Sequence, residues 1–107
     1  TYAVRLEHGG RSLVYGADCA ENPALVELAR GAHLLVTECT FGPTPVPPGV
    51  PHLNAAAAAR MANAAAVERL VITHCSPEWE VQETLAAARR VARMPVHWAR
   101  PHQEFPA

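Results

Sequence analysis

Four side chains that can bind a metal ion or transfer a proton follow apolar segments or a loop of the chain: Asp18, Glu38, His52 and His74. Carboxylates and imidazoles are common ligands of zinc, and a histidine beside a carboxylate can act as a general acid or base. Because the carboxyl ends of parallel strands lie along one edge of a sheet, side chains that follow different strands can converge there. The sequence therefore predicts a site for metal-assisted or acid–base chemistry.

Purely structural roles compete with this prediction for two of the four residues. Asp18 can cap the turn that follows it, because Asp side chains accept hydrogen bonds from nearby backbone N–H groups. His52 can be a solvated side chain of a loop. Glu38 and His74 are harder to explain in this way, because each follows an apolar strand and a polar group at the end of a buried strand needs a partner or water.

The three cysteines offer a different chemistry. Their odd number and wide spacing fit neither a disulfide framework nor a zinc ribbon. Side chains alternate along a strand, so Cys39 and Cys75 point away from their neighbours Glu38 and His74, and a buried cysteine usually acts as a small apolar residue. The alternative is a cysteine-dependent hydrolase or transferase, with Cys75 or Cys39 as the nucleophile and His52 as its activating base.

The elements that must position these residues alternate between strands and helices. Apolar patterning predicts strands over residues 2–7, 12–16, 34–37, 70–73 and 96–99. It predicts helices over residues 24–30, 55–66 and 81–92. The order β-β-α-β-loop-α-β-α-β indicates a layered α/β (α+β) fold, in one domain over residues 1–107.

Helix boundaries and one long loop are also marked in the sequence. Asn22 before Pro23, and Asn54 before the alanine run, are typical of helix N-caps, and Gly31 is typical of the position after a helix. Five prolines between residues 40 and 53 exclude regular structure there. A loop of that length in a compact domain is usually functional or mobile.

Composition narrows the classes of partner. The chain has 107 residues, 50% of them hydrophobic, and a formal charge of −1. Because the chain has no excess of basic residues, nucleic acid is a possible partner but not a favoured one. No apolar run is long enough to span a membrane, and no signal peptide is recognisable. The spacing of the three cysteines fits no disulfide framework, which predicts a reducing, cytoplasmic location.

Four segments carry a resemblance to a known family: residues 16–19 (GADC), 31–41 (GAHLLVTECTF), 51–56 (PHLNAA) and 70–77 (LVITHCSP). In this order they resemble the second half of a metallo-β-lactamase-fold hydrolase, in the branch of ribonuclease Z and related phosphodiesterases. The resemblance covers about residues 2–100 of the chain. It implies the C-terminal half of an αββα sandwich, and a function in cleaving phosphodiester or ester-like bonds.

The resemblance also implies roles for the four residues. Asp18 matches the carboxylate that bridges two Zn²⁺ ions, and His74 matches a histidine ligand of the second ion. Glu38 and His52 match a pair that shuttles a proton to the leaving group. These roles agree with the general chemistry of paired metal ions and of histidine held by a carboxylate.

The chain also departs from the family pattern. It has no His-x-His-x-Asp-His motif, which the family carries in its first half, it lacks a further histidine ligand, and Cys19 stands where the family commonly has threonine. We therefore expect a fragment that is inactive alone and whose partner is the missing N-terminal half or a second copy of the chain. A non-catalytic α/β module that dimerises through an uncovered face is a further alternative.

Overall fold

The computed structural model describes residues 3–74, 76 and 78–99, which form one five-stranded sheet and three helices. The strands are β1 (Val4–His8), β2 (Arg11–Tyr15), β3 (Leu34–Glu38), β4 (Arg69–Thr73) and β5 (Val96–Trp98). The helices are α1 (Pro23–Ala29), α2 (Ala55–Ala65) and α3 (Val81–Val91). The predicted order is confirmed, and the element boundaries differ from the predicted ones by at most two residues.

Side-chain caps fix the starts of the first two helices as the sequence predicts. The side chain of Asn22 accepts a hydrogen bond from the N–H of Leu25 at 2.8 Å, and that of Asn54 accepts one from Ala57 at 2.8 Å. By contrast, α2 ends at Ala66 in the left-handed conformation, with φ of 55° and no glycine to signal it. No helix in the described part of the chain is long and apolar enough to cross a membrane.

The strand order explains why all three helices lie on one face of the sheet. The strands follow the order β1-β2-β3-β4-β5, with β1 antiparallel to β2 and every later pair parallel. Each helix therefore connects a strand to its next neighbour in the same direction. Because such crossovers are right-handed, successive crossovers in one direction place their helices on the same side. In agreement, α2 packs against both α1 and α3.

The hydrophobic core lies between the sheet and α2. On the sheet side it contains Val14, Leu35, Leu70 and Ile72, all fully buried. On the helix side it is built mainly from alanines, which are Ala55, Ala57, Ala58, Ala59, Ala62 and Ala65. Small side chains let the helix approach the sheet closely, so the core is thin and tolerates little added volume.

None of the helices in the described part of the chain lies on the opposite face of the sheet. Alternation along the strands and the register of the hairpin place Val4, Leu6, Leu13 and Tyr15 together on this face. Leu6 keeps 61% of its surface exposed, and Val4 and Tyr15 are exposed as well. Within residues 3–74, 76 and 78–99, no helix packs on these side chains. The described structure therefore has two layers, one sheet and one layer of helices, as in half of an αββα sandwich.

Enlarging a buried alanine of α2 should test how closely the helix lies on the sheet. We expect Ala58→Leu to lower the free energy of unfolding by about 1–3 kcal/mol, because the added carbons must displace core atoms. Ala64→Leu places the same change on the exposed side of α2 and should alter stability by no more than about 0.5 kcal/mol. Urea denaturation of both variants measures the difference. Equal stabilities would contradict the close packing of α2.

Candidate functional site

The ends of β2 and β4 bring a carboxylate and an imidazole together. Asp18 lies three residues beyond the end of β2, and His74 follows β4 directly. Their side chains face each other, with Nδ1 of His74 3.9 Å from Oδ1 of Asp18. This distance is too long for a hydrogen bond. Both side chains are open to solvent, with 67% of His74 and 50% of Asp18 exposed. The two expected metal ligands are thus neighbours, although β3 separates their strands.

Left-handed backbone occurs at both strand ends that carry this pair. Ala17 has a φ of 53° and His74 a φ of 50°. Residues with a Cβ atom pay a cost of about 1–3 kcal/mol in such sparsely populated regions, so surrounding contacts must hold them there. One such contact is visible, because the carbonyl of His74 accepts a hydrogen bond from the N–H of Cys39 at 3.1 Å. The end of β3 therefore helps to fix the backbone of His74.

Glu38 is a buried carboxylate at the end of β3, with only 1% of its side chain exposed. Its Oε2 accepts a hydrogen bond from the N–H of Thr40 at 2.6 Å, and its Oε1 accepts one from the N–H of Leu53 at 2.7 Å. Hydrogen bonds of this charge-assisted kind offset the cost of burying a carboxylate. Glu38 thereby ties together the first and last residues of the proline-containing loop, 40–53.

His52 lies beside this carboxylate and is partly exposed. Its Nδ1 is 3.3 Å from Oε1 of Glu38 and 3.4 Å from the hydroxyl oxygen of Thr40. A carboxylate can only accept, so Nδ1 donates to Glu38 and Nε2 is left to exchange a proton with a ligand. His52 also lines a cleft of about 390 Å³ between the proline-containing loop and α2. The pair Glu38–His52 therefore has the arrangement of an acid–base group that opens onto a cavity.

Cys19 lies near both carboxylates of the site. Burial raises the pKa of its thiol, and the charges of Glu38 and then Asp18 raise it further. The thiolate form is therefore disfavoured, and Cys19 is a poor nucleophile. Cys39 is fully buried in the hydrophobic core, with its Sγ 3.9 Å from the carbonyl oxygen of Gly42. This burial keeps a substrate from Cys39, and Cys75 lies outside the described residues.

The donor set at this edge fits part of a zinc site. A carboxylate and an imidazole are suitable ligands, and Asp18 and His74 face each other without a direct hydrogen bond. No group of three or more His, Cys, Asp or Glu side chains in the described ranges could enclose a metal ion. Since zinc sites in proteins generally use at least three protein ligands, these two side chains could fill only part of such a site.

Two further residues, which the sequence did not single out, hold the site together. Thr40 contributes a backbone donor to Glu38 and a hydroxyl beside His52. Trp79 donates from its indole Nε1 to the carbonyl of Thr40 at 3.0 Å. The only sequence signal for Thr40 is that it lies two residues after Glu38. No local sequence pattern marks Trp79.

The chain resembles known proteins in sequence over most of its length. Residues 1–75 match the family model described as Beta-lactamase superfamily domain. The chain is 35% identical over 98 residues to the uncharacterized protein ML1173 of Mycobacterium leprae, covering 91% of this chain and 34% of that protein. It is 37% identical over 83 residues to a ribonuclease Z of Saccharolobus islandicus, covering 77% of this chain and 28% of that protein.

A third relative is known both by sequence and by crystal structure. The probable metallo-hydrolase YhfI of Bacillus subtilis is 31% identical over 84 residues, covering 78% of this chain and 34% of that protein. The crystal structure of YhfI, described as a metallo-beta-lactamase fold protein, superposes with a TM-score of 0.87 at 27% identity, covering 92% of this chain and 41% of that one. The chain thus spans about a third of the length of the curated relatives it matches. The family match, the shared fold and these relatives together show that the chain belongs to the metallo-β-lactamase superfamily of hydrolases and is similar to its ribonuclease Z members.

Proposed function

We propose that this chain forms part of a zinc-dependent hydrolase that cleaves a phosphodiester or another ester-like bond. The observation that carries the proposal is the convergence of two pairs, Asp18 with His74 and Glu38 with His52, at one edge of the sheet. The relatives named metallo-hydrolase and ribonuclease Z support the reaction class. The substrate is a small molecule or a phosphodiester of larger size, and the near-neutral charge of the chain gives nucleic acid less support.

In this proposal Asp18 and His74 are metal ligands. The Asp18 carboxylate has two oxygens and can bridge two cations, whereas His74 offers a single ring nitrogen to one of them. When bound, two zinc ions supply an activated water as nucleophile and neutralise charge that develops on the reacting group. The exposure of both side chains suits ligands that face a substrate channel rather than the core.

Glu38 and His52 act on the leaving group. Glu38 is held rigidly by two backbone donors, so its contact with Nδ1 fixes the orientation of the His52 ring. As the bond between phosphorus and the leaving oxygen breaks, Nε2 of His52 donates its proton to that oxygen, and solvent later returns a proton to the ring. This transfer matters most when the leaving group is a strongly basic alkoxide.

The remaining ligands must come from outside the chain in this proposal. A region with the His-x-His-x-Asp-His motif, on the same polypeptide or on a partner, would complete the zinc site and cover the apolar face formed by Val4, Leu6, Leu13 and Tyr15. A second copy of the chain is the alternative occupant of that face, as expected for a non-catalytic module. We also propose a cytoplasmic location, which the reduced thiols of Cys19 and Cys39 support.

The chain by itself should lack hydrolase activity. Two ligands hold zinc too weakly for a dinuclear site, so adding zinc to the purified chain should not produce turnover of bis(p-nitrophenyl) phosphate. Adding the region with the missing ligands should restore activity. Robust zinc-dependent turnover by residues 1–107 alone would refute the division of the site that we propose.

Removing either proposed ligand should weaken zinc binding by the complete protein. Loss of a residue that only hydrogen-bonds a metal ligand lowers metal affinity about 10- to 100-fold. We expect Asp18→Asn and His74→Ala, which remove the proposed ligands themselves, each to lower zinc affinity by more than that. Glu21→Gln is the matched control, because Glu21 is a nearby carboxylate that pairs with Arg60 instead. Competition with a chelator, followed by metal analysis, measures the affinity. Unchanged zinc content in Asp18→Asn would exclude the ligand role.

The role of His52 predicts a dependence on the leaving group. Bis(p-nitrophenyl) phosphate releases a stable phenolate that needs little protonation, whereas bis(p-nitrobenzyl) phosphate releases an alkoxide. In the complete, zinc-loaded protein, His52→Ala should lower kcat/KM about 10²- to 10⁴-fold for the benzyl ester and far less for the phenyl ester. The ratio of the two values within one sample is independent of the amount of active enzyme. An equal loss on both esters would contradict general-acid catalysis by His52.

A further inference from the structure

A tryptophan in the segment between β4 and α3 is bonded to the loop that follows β3. The indole Nε1 of Trp79 donates to the carbonyl oxygen of Thr40 at 3.0 Å, and the N–H of Ser76 donates to the same oxygen at 3.3 Å. A carbonyl oxygen has two lone pairs, so these two donors use its accepting capacity. In turn, the N–H of Trp79 donates to the carbonyl of Ser76 at 3.0 Å, so Trp79 and Ser76 are bonded to each other as well as to Thr40.

The ring of Trp79 also packs directly on the backbone of Gly42. A Cβ atom at Gly42 would lie 2.6–2.8 Å from three side-chain atoms of Trp79, and Gly42 has a φ of 51°. Both the space and the backbone conformation therefore require glycine. The carbonyl of Gly42 accepts a hydrogen bond from the N–H of Ala55, the first residue of α2, at 2.9 Å. Trp79 thus rests on a turn that is bonded to the start of α2.

Thr40 connects this contact to the acid–base pair. Its N–H donates to Oε2 of Glu38 at 2.6 Å, and its hydroxyl oxygen lies 3.4 Å from Nδ1 of His52. A shift of the Thr40 backbone would therefore weaken a donor that holds Glu38 and move the hydroxyl beside His52. We propose that Trp79 is a positioning residue for the Glu38–His52 pair and acts through Thr40. The inference deepens the proposed function and rests on it.

The same contact joins the two halves of the candidate site. Cys39 and Thr40 are consecutive residues, and the first bonds to the carbonyl of His74 while the second accepts from Trp79. The segment after β4 is therefore attached to the end of β3 at both His74 and Trp79. Loss of the Trp79 bond would leave the core packing of the sheet in place and would loosen the register between these two segments.

Substitutions at Trp79 and Gly42 separate positioning from packing. Trp79→Phe keeps an aromatic ring against Gly42 and removes the donor to Thr40, whereas Gly42→Ala drives the ring away. The measured quantity is kcat/KM for bis(p-nitrobenzyl) phosphate divided by kcat/KM for bis(p-nitrophenyl) phosphate, in the complete, zinc-loaded protein. We expect both variants to lower this ratio by about 10-fold, because a small misplacement of a catalytic group can lower the rate by up to about 100-fold. Trp98→Phe is the control, because Trp98 packs against the hydrophobic core on β5, and its ratio should stay at the wild-type value.

The outcomes distinguish this inference from the proposed function. If His52→Ala lowers the ratio and Trp79→Phe leaves it unchanged, the positioning role of Trp79 is wrong and the proposed function stands. If Trp79→Phe lowers both rates equally, Trp79 has a structural role only, and the inference is again overturned. If His52→Ala itself leaves the ratio unchanged, the proposed function and the inference both fail. Because the ratio is measured within one sample, partial unfolding of a variant does not imitate the expected result.

Discussion

The burial of the Glu38 carboxylate is the constraint on which the site depends. An ionised group with 1% exposure persists only where donors replace its lost hydration. Two of those donors are the backbone N–H groups of Thr40 and Leu53, at opposite ends of the proline-containing loop. The carboxylate therefore closes that loop and sets the place of His52, the residue just before Leu53. An apolar residue at position 38 would leave both backbone donors without this acceptor.

Chain topology determines where such a site can form. Every crossover moves to the next strand in the same direction and is right-handed, so the helices share one face and the parallel strands share one carboxyl edge. That edge collects Asp18, Glu38 and His74 from three successive parallel strands. The same topology places no helix of the described residues on the other face, and Leu6 and Tyr15 remain exposed there. A shared edge for the polar side chains and a sheet face without a helix among the described residues are thus two results of one geometric rule.

Much of the local structure could be read from residue types. Asn22 and Asn54 cap helices with their side chains, and Gly31 takes the positive φ that a helix terminus requires. Such signals are local, because a capping side chain and its backbone partner lie within a few residues of each other. By contrast, the left-handed conformations of Ala66 and His74 have no local signal, since both residues avoid that region unless packing imposes it.

The sequence alone determined the order of elements, the helix starts and the four polar residues worth attention, because periodicity and capping depend on near neighbours. It also indicated that these residues follow parallel strands, from which a common edge could be expected. Only the tertiary structure decided that His52 faces Glu38, that Cys39 is buried in the core, and that Trp79 reaches Thr40. Glu38 and His52 are 14 positions apart in the chain, and Thr40 and Trp79 are 39 apart. Contacts between residues so far apart depend on how the whole chain packs, because no local pattern specifies them.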